Sequence, residues 1–256
     1  MAALSVYFDR SADTGIRVVA GYVSTPEHWQ NFQEEWLKWL ARPQYRVPYF
    51  HMKEFAHSLG AYKDGWKGQP RKRREFLVGL INITKSNTFH SFRASVRSDD
   101  FRRFIKIRHM ERLFGNEFTL CARACCRDVR KWAGANFPTN PIEYVFECGD
   151  EGKGKLVEIM ERDGFKTPIF RPKMPSPADL QGIFTPFQAA DFLAWEVRKS
   201  LGQVESEPGA QWDDVRQSFK ELSSGLGSWS HHPEQMLEET AQLHLGDPAV
   251  RLPTDN

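Results

Sequence analysis

The chain has 256 residues, of which 40% are hydrophobic and 27% charged, and it is rich in aromatic side chains, with 19 Phe and 8 Trp. This composition predicts a folded chain with a sizeable core, as one domain with additions or two small domains, and excludes an intrinsically disordered protein. No apolar run is long enough to span a bilayer, and Asp9 and Arg10 interrupt the N-terminus before a signal-peptide core. We therefore expect a cytoplasmic protein that does not enter membranes.

The formal net charge of +2 conceals an asymmetry along the chain. Residues 203–256 carry a net charge of −7, whereas residues 1–202 carry +9. A basic body suits a polyanionic partner such as nucleic acid, with the acidic segment competing for the same surface. The alternative is that the uneven charge serves only solubility.

The four cysteines predict free thiols in a reducing compartment. No two of them have C-x-x-C spacing, which disfavours both a disulfide framework and a zinc site.

The first stretch predicts a β-hairpin. Leu4–Phe8 has the β-branched and aromatic residues of a buried strand, residues 13–15 provide turn chemistry, and Ile16–Val23 reads as a second strand. Asp9 follows the first strand directly. A carboxylate there is either half-solvated turn chemistry or one ligand of a metal, because its burial without a donor or cation is costly.

A helical insertion over about residues 26–88 follows this hairpin. Pro26–Trp39 predicts a helix with one aromatic face that is more typical of a core than of a base-stacking platform. Within Val47–His57, the three-residue spacing of His51, Glu54 and His57 does not match the H-E-x-x-H pattern of zinc hydrolases, so we interpret His51 as a substrate-lining residue.

A second helix of the insertion, Pro70–Lys85, opens with four consecutive cations. Cations oppose the dipole at a helix N-terminus, so local stability does not favour them there. We take Arg71 and Arg73 from this run as candidate phosphate ligands. A solvated charged turn is the alternative.

The remainder of the main domain alternates strands and helices. Phe89–Arg97 predicts a strand, residues 99–112 interleave basic and aromatic residues, and Phe114–Ala135 predicts a long helix. Pro141–Cys148 then reads as a buried strand that ends in carboxylates, Glu147 and Asp150. The following segment predicts a helix over Lys153–Asp163 and a short strand over Lys166–Arg171.

The last helix of the main domain begins near Thr185 and carries Asp191 among apolar neighbours. Such an acid requires a partner, which could be an arginine, a helix terminus that it caps, or a metal. A polar linker from Gly202 to Gly209 then leads to an appendage of two short helices, around Trp212–Leu222 and Pro233–Leu243.

Without the insertion, the element order is that of a ribonuclease-H-like fold, a β-meander followed by alternating helices and strands. We expect an α/β protein with a mixed five-stranded sheet flanked by helices in residues 1–201, and a helical appendage in residues 202–256. The acids Asp9, Glu147 or Asp150, and Asp191 occupy the places where this fold holds two divalent ions. Such ions lie about 4 Å apart and bridge a scissile phosphate, and oxygen ligands suit Mg²⁺ or Mn²⁺.

The chain also resembles the bacterial domain-of-unknown-function family 3800 over roughly residues 4–200. The motifs that carry the resemblance are F-D-x-S-x-D-T-G, Y-F-H-M-K-E-F, Y-V-F-E-x-G-D-E-G-K-G and F-Q-A-A-D-F-L-A-W-E. The resemblance implies a ribonuclease-H-like fold whose active-site acids are Asp9, Glu147 or Asp150, and Asp191, with His51 and Gln188 beside them. Ribonuclease H itself also places a fourth acid on the long helix, where Glu117 stands, and Lys173 is positioned to steady a phosphate.

The sequence therefore predicts a metal-dependent nuclease that hydrolyses a nucleic-acid phosphodiester. The family has Glu where this chain has Arg10, which leaves open a second hypothesis, a weak or inactive module that binds nucleic acid or a protein partner. Alternation along the strand would place Asp9 and Arg10 on opposite faces, which favours activity. A hydrolase of small phosphorylated metabolites is a third hypothesis, and homo-oligomer formation stays open.

Overall fold

The computed structural model describes residues 3–13, 15–107, 109–148, 152–172, 185–206, 216–224, 227–232 and 237. Among these residues, no helix is both long and apolar enough to cross a membrane.

Six strands and nine α-helices are formed by the described residues. The strands are β1 (Leu4–Ala12), β2 (Ile16–Ser24), β3 (His90–Arg97), β4 (Ile142–Glu147), β5 (Ile169–Arg171) and β6 (Gly227–His232). The helices are α1 (Pro26–Leu40), α2 (Met52–His57), α3 (Pro70–Asn87), α4 (Ser98–Phe101), α5 (Glu111–Phe114), α6 (Glu117–Asn136), α7 (Lys153–Arg162), α8 (Thr185–Ser206) and α9 (Gln217–Ser223).

The strands form one mixed sheet in the order β5-β4-β1-β2-β3-β6. The β1-β2-β3 meander is antiparallel, whereas β4 is parallel to β1 and β5 is parallel to β4. The predicted ribonuclease-H-like α/β fold is confirmed by this order. The predicted helical insertion lies between β2 and β3 and contains α1, α2 and α3.

A hydrophobic core lies on each face of the sheet. Val6 and Phe8 of β1 pack on the face that is covered by α6 and α7. Tyr7 packs on the opposite face, where α1, α3 and α8 form the second core. Period-two alternation therefore assigns Asp9 to the α8 face and Arg10 to the α6 face.

The aromatic residues of the insertion belong to the second core, as the helix pattern predicted. Trp36, Phe50 and Phe76 are fully buried, and neighbouring rings such as those of Phe32 and Trp36 stack with centroids 4.9 Å apart. The insertion is thus part of the domain that carries the sheet.

The cysteines are free thiols, as predicted. Cys121, Cys125 and Cys126 lie buried on α6, and burial raises the pKa of each thiol. These thiols therefore act as small apolar side chains.

The predicted strand number and the C-terminal appendage require correction. Residues 227–232, which were assigned to the helical appendage, form the sixth strand and pair parallel with β3. Trp229 fixes this strand, because its ring packs 6.3 Å from that of Phe219 and its Nε1 donates to Ser95 Oγ at 3.4 Å. The first predicted appendage helix is represented by α9, and the second lies outside the described residues except for Leu237.

A buried carboxylate connects α8 to the segment before β6. Glu196 is 0% exposed and accepts hydrogen bonds from Arg216 Nε and Nη2 at 3.0 and 3.2 Å and from Ser218 Oγ at 2.8 Å. Burial raises the pKa of Glu196, although Arg216 and Ser218 oppose that shift. The pair joins the last described elements of the chain to the core.

We expect Arg216→Ala to destabilise the protein by about 2 kcal/mol, because it leaves a buried carboxylate without its cation. The folded chain holds the Glu196 proton to a higher pH than the unfolded chain does. The free energy of unfolding should therefore fall as pH rises from the ordinary Glu pKa, about 4.3, through the raised value, and Arg216→Ala should steepen that fall. Urea unfolding across this pH range measures both effects. Glu196→Gln is the control, since it should remove the contribution of Glu196 to the pH dependence. An equal slope in all three proteins would contradict the assignment.

Candidate active site

A cleft of about 460 Å³ opens where β1 and β4 end and is bordered by α2 and α8. Three of the acids expected from the sequence line it, namely Asp9, Glu147 and Asp191. The other lining residues are Arg10, Ser11, Ala12, Asp13, His51, Lys53, His57, Trp195, Arg198 and Lys199.

Strand pairing positions the first two acids. The parallel register of β1 with β4 extends to the pair Phe8 and Phe146, and Asp9 and Glu147 are the next residues on their strands. Asp9 lies within β1, which continues to Ala12, so the predicted end of this strand at Phe8 was too early. The Asp9 side chain is 3% exposed, and its Oδ1 accepts from the Arg10 N–H at 2.7 Å.

Asp191 reaches the cleft from the apolar helix α8 and is 6% exposed. Its Oδ2 accepts a hydrogen bond of 2.7 Å from the N–H of Met52, the first residue of α2. The helix-capping role considered from the sequence is therefore real. It does not preclude metal binding, since a carboxylate offers about four lone-pair sites.

An ion pair joins α8 to the β1–β2 turn at the side of the cleft. Arg198 donates to Ser11 Oγ at 2.9 Å and to the Asp13 carboxylate. Partial burial alone would raise the pKa of Asp13, but hydrogen bonds from the Gly15 and Ile16 N–H groups and from Arg198 lower it overall. Asp13 is therefore held as an anion by its own turn and by Arg198.

Within the described part of the chain, no group of three or more His, Cys, Asp or Glu side chains is arranged to hold a metal ion. Two of the candidate site residues, Asp150 and Lys173, lie outside the described residues. The structure thus gathers three carboxylates around one cleft without a preformed ligand cluster among them.

Two other predicted residues have different environments. His51 lines the cleft, and its Nδ1 lies 3.4 Å from Glu54 Oε1. Gln188 does not line it, because its Oε1 accepts from Trp36 Nε1 at 2.9 Å and from the Phe50 N–H at 2.8 Å. The structure gives Gln188 a structural role between α8 and the insertion.

The two arginines chosen as phosphate ligands are also outside the lining of the cleft. Arg71 is 92% exposed and pairs with Glu75 on its own helix at 2.8 Å. The Arg73 guanidinium lies over the ring of Phe55 at 4.1 Å and donates to the Phe55 carbonyl at 2.6 Å. Arg73 therefore secures α2 against α3, and Arg71 belongs to a solvated helix surface.

Arg10 and Glu117 belong to a second cleft, of about 390 Å³, on the α6 side of the hairpin. Arg10 lines both clefts, but strand alternation directs its side chain to the α6 side. Glu117, considered as a fourth ligand, does not line the cleft that contains Asp9.

Three basic residues of the carboxylate cleft were not predicted from the sequence. Lys53 lies on α2, and Arg198 and Lys199 lie on α8. The spacing of Asp191, Trp195 and Lys199 at four-residue intervals, on one face of a helix, was the available signal for the α8 part.

No family model and no curated protein matches the chain. Among solved structures, a mutant of Bst-RNase HIII aligns with 96% of this chain and 71% of that one, at a TM-score of 0.40 and 11% identity. The fold assignment rests on the strand order and directions. It is a ribonuclease-H-like fold. At that TM-score, the likeness to Bst-RNase HIII adds no functional argument.

We expect Gln188→Met to destabilise the protein by about 2–3 kcal/mol, because two buried N–H donors, on Trp36 and Phe50, lose their acceptor. Urea denaturation of the native protein and the variant measures this cost. Gln30→Met, at an exposed position of α1, is the matched control and should change stability by less than about 0.5 kcal/mol. Equal effects of the two substitutions would contradict the structural role of Gln188.

Proposed function

We propose that the protein hydrolyses phosphodiester bonds of nucleic acid with the help of divalent metal ions. The observation that carries this proposal is the convergence of Asp9, Glu147 and Asp191 on one cleft. These residues come from three elements that are far apart in sequence. Acids at these places would hold the divalent ions that support phosphodiester hydrolysis.

The donor set fits Mg²⁺ or Mn²⁺. Carboxylate oxygens are the hard ligands that these ions prefer, and Asp9, Glu147 and Asp191 would hold them, with Asp150 as a further candidate. When bound, such ions activate water and stabilise the leaving oxygen of the phosphodiester.

The chain's own residues would position these ligands. The Met52 N–H fixes the orientation of the Asp191 carboxylate, and Arg198 holds the end of the hairpin against α8. His51 begins the segment that carries this N–H and faces the cleft, where it would contact substrate. The four sequence motifs resemble those of family 3800. On the basis of these motifs, we propose that the chain belongs to that family.

We expect Asp9→Asn, Glu147→Gln and Asp191→Asn each to weaken Mn²⁺ binding at least about tenfold, because each removes one anionic ligand. Isothermal titration calorimetry measures the affinity. Asp191→Asn is the most informative variant, since the asparagine oxygen can still accept from the Met52 N–H and thus preserve the cap. Cleavage of short DNA, RNA and hybrid duplexes should be lost together with the metal.

Glu143→Gln provides the control for these substitutions. Glu143 lies on β4 four residues before Glu147, pairs with Lys166 at 3.2 Å, and does not line the cleft. Its loss should leave Mn²⁺ affinity unchanged. Failure of the native protein to bind Mn²⁺ at about millimolar concentration, with or without nucleic acid, would refute the proposal.

A catalytically inactive module that binds nucleic acid is the second candidate. It is favoured by the lack of a preformed ligand group among the described residues and by the cation at position 10. The two candidates differ in what Arg10 does. If the protein is a nuclease, the Arg10 side chain faces the α6 side and does not affect metal binding. If the protein is the inactive module, Arg10 excludes metal from the cleft.

Arg10→Ala distinguishes the two candidates. We expect its Mn²⁺ affinity to stay within about threefold of that of the native protein, because alternation places the guanidinium on the other face of β1. The measurement is again calorimetry. Mn²⁺ binding that is absent from the native protein and appears in Arg10→Ala would support the inactive module instead.

A further inference from the structure

The connection between β3 and α6 carries a group of cations that lies outside the carboxylate cleft. Residues 101–112, here called the basic segment, contain five Arg or Lys and one Glu, a net charge of +4. Of the two acids just before the segment, Asp99 pairs with Arg102 at 2.9 Å and Asp100 lies 4.0 Å from Arg97. Such an excess of positive charge on one short segment favours a polyanionic partner.

Folding gives the basic segment a buried apolar side and an exposed basic side. Phe101, Phe104 and Ile105 pack in the core on the α6 face of the sheet. The exposed side consists of cations, namely Arg102, Arg103, Lys106 and Arg112. The interleaved aromatic and basic residues of this stretch are therefore separated by the fold, with the cations facing solvent.

A π-helical turn over Arg102–Lys106 presents part of this exposed side. The N–H of Ile107 donates to the carbonyl of Arg102, five residues earlier, at 2.9 Å. Ile107 follows Lys106 directly and is 66% exposed, so an apolar side chain stands in solvent among cations. Turns of this kind are frequent at functional sites, and an exposed isoleucine has no packing role of its own.

The buried rings indicate which form of nucleic acid the basic segment suits. Surfaces that bind single strands offer a row of exposed aromatic rings on which successive bases stack. Phe101 and Phe104 are only 5% and 3% exposed, and His109 is the one exposed ring among the described residues of the segment. In a duplex the bases stack on one another and the phosphates face outward, so exposed cations are sufficient for contact. The surface therefore matches the backbone of a duplex.

The β1–β2 turn lies between the basic segment and the carboxylate cleft. Asp13, at the start of this turn, lines the cleft. Two residues later, the Gly15 carbonyl accepts a hydrogen bond of 2.9 Å from the N–H of Ser98, three residues before the segment. Since the segment packs on the α6 face and the cleft is bordered by α8, a duplex that lies across the turn would meet both.

We propose that the basic segment binds the phosphate backbone of duplex nucleic acid beside the cleft in which one strand is cleaved. This inference rests on the proposed function for the cleavage step and specifies the substrate as a duplex. Lys106 and Arg112 are its principal contacts, because both are exposed and no described carboxylate lies within ion-pair distance of either. Ile107 adds an apolar contact with sugars or base edges in a groove.

The test measures binding of a short fluorescein-labelled DNA duplex by anisotropy at several KCl concentrations, in EDTA to prevent cleavage. Each phosphate contact on a duplex contributes a slope of about −0.9 in log affinity against log salt, which is about eightfold in affinity at about 0.1 M salt. Lys106→Gln/Arg112→Gln should therefore bind about 60-fold more weakly, with a slope smaller in magnitude by about 1.8. Ile107→Ser should weaken binding about threefold at an unchanged slope, because it removes apolar contact and no charge.

Arg127→Gln/Lys131→Gln is the matched control. It removes one Arg and one Lys from exposed positions of α6, and the neighbouring Trp132 stacks on His90 at the other end of β3 from the basic segment. This variant should bind the duplex as the native protein does. Equal losses in the two double variants, or no loss in Lys106→Gln/Arg112→Gln, would overturn the proposed surface.

A labelled single strand of the same length tests the choice of a duplex. The native protein should bind the single strand more weakly than the duplex, and Lys106→Gln/Arg112→Gln should reduce this preference. Equal or tighter binding of the single strand would overturn the duplex assignment. Binding of phosphatidylglycerol vesicles through these cations, with no binding of the duplex, would assign the surface to a membrane instead.

Mn²⁺ titration separates failure of this surface from failure of the proposed function. The Mn²⁺ affinity of Lys106→Gln/Arg112→Gln should match that of the native protein. If the cations do not contribute to duplex binding while the native protein binds Mn²⁺ and cleaves oligonucleotides, the surface fails and the proposed function stands. If they do contribute and no Mn²⁺ binds, the proposed function fails and the binding surface stands.

Discussion

The central constraint on this molecule is the position of β1 between two strands and two cores. It is hydrogen-bonded to β2 on one side and to β4 on the other, and its apolar side chains are buried on both faces. A strand held in four directions cannot shift its register without moving its whole set of side chains to the wrong face. Asp9 is therefore fixed by the fold, and the elements around it are arranged relative to a stationary carboxylate.

The insertion contributes to the site through two hydrogen-bonded contacts with α8. Gln188 accepts from Trp36 and Phe50, and Asp191, one turn later, accepts from Met52. The same face of α8 thus binds the insertion and supplies an acid to the cleft. The position of α2 is set by its packing against the aromatic core beneath these contacts.

Much of the fold could be predicted, because β1, β2 and β4 have strong local patterns and α8 begins at a clear Thr-Pro boundary. Asp9, Glu147 and Asp191 were found for the same reason, as acids beside apolar runs. The remaining features depend on contacts between segments that are far apart in the sequence, which local patterns do not reveal. Arg73 and Gln188 are polar residues whose partners come from distant segments. The short strand β6 consists of Gly, Ser, Trp and His residues, and no local pattern indicates its pairing with β3. The cleft lysines become visible only when α2 and α8 are placed side by side.

The pairing of β6 with β3 has a consequence for association between chains. Without β6, the eight residues of β3 would form an edge of the sheet with unsatisfied backbone donors and acceptors, a surface that recruits strands from other molecules. The opposite edge is β5, which has only three residues and offers little to pair with. The segment that was predicted to be a helical appendage therefore covers a sheet edge that would otherwise promote aggregation, and we expect its removal to lower the solubility of the protein.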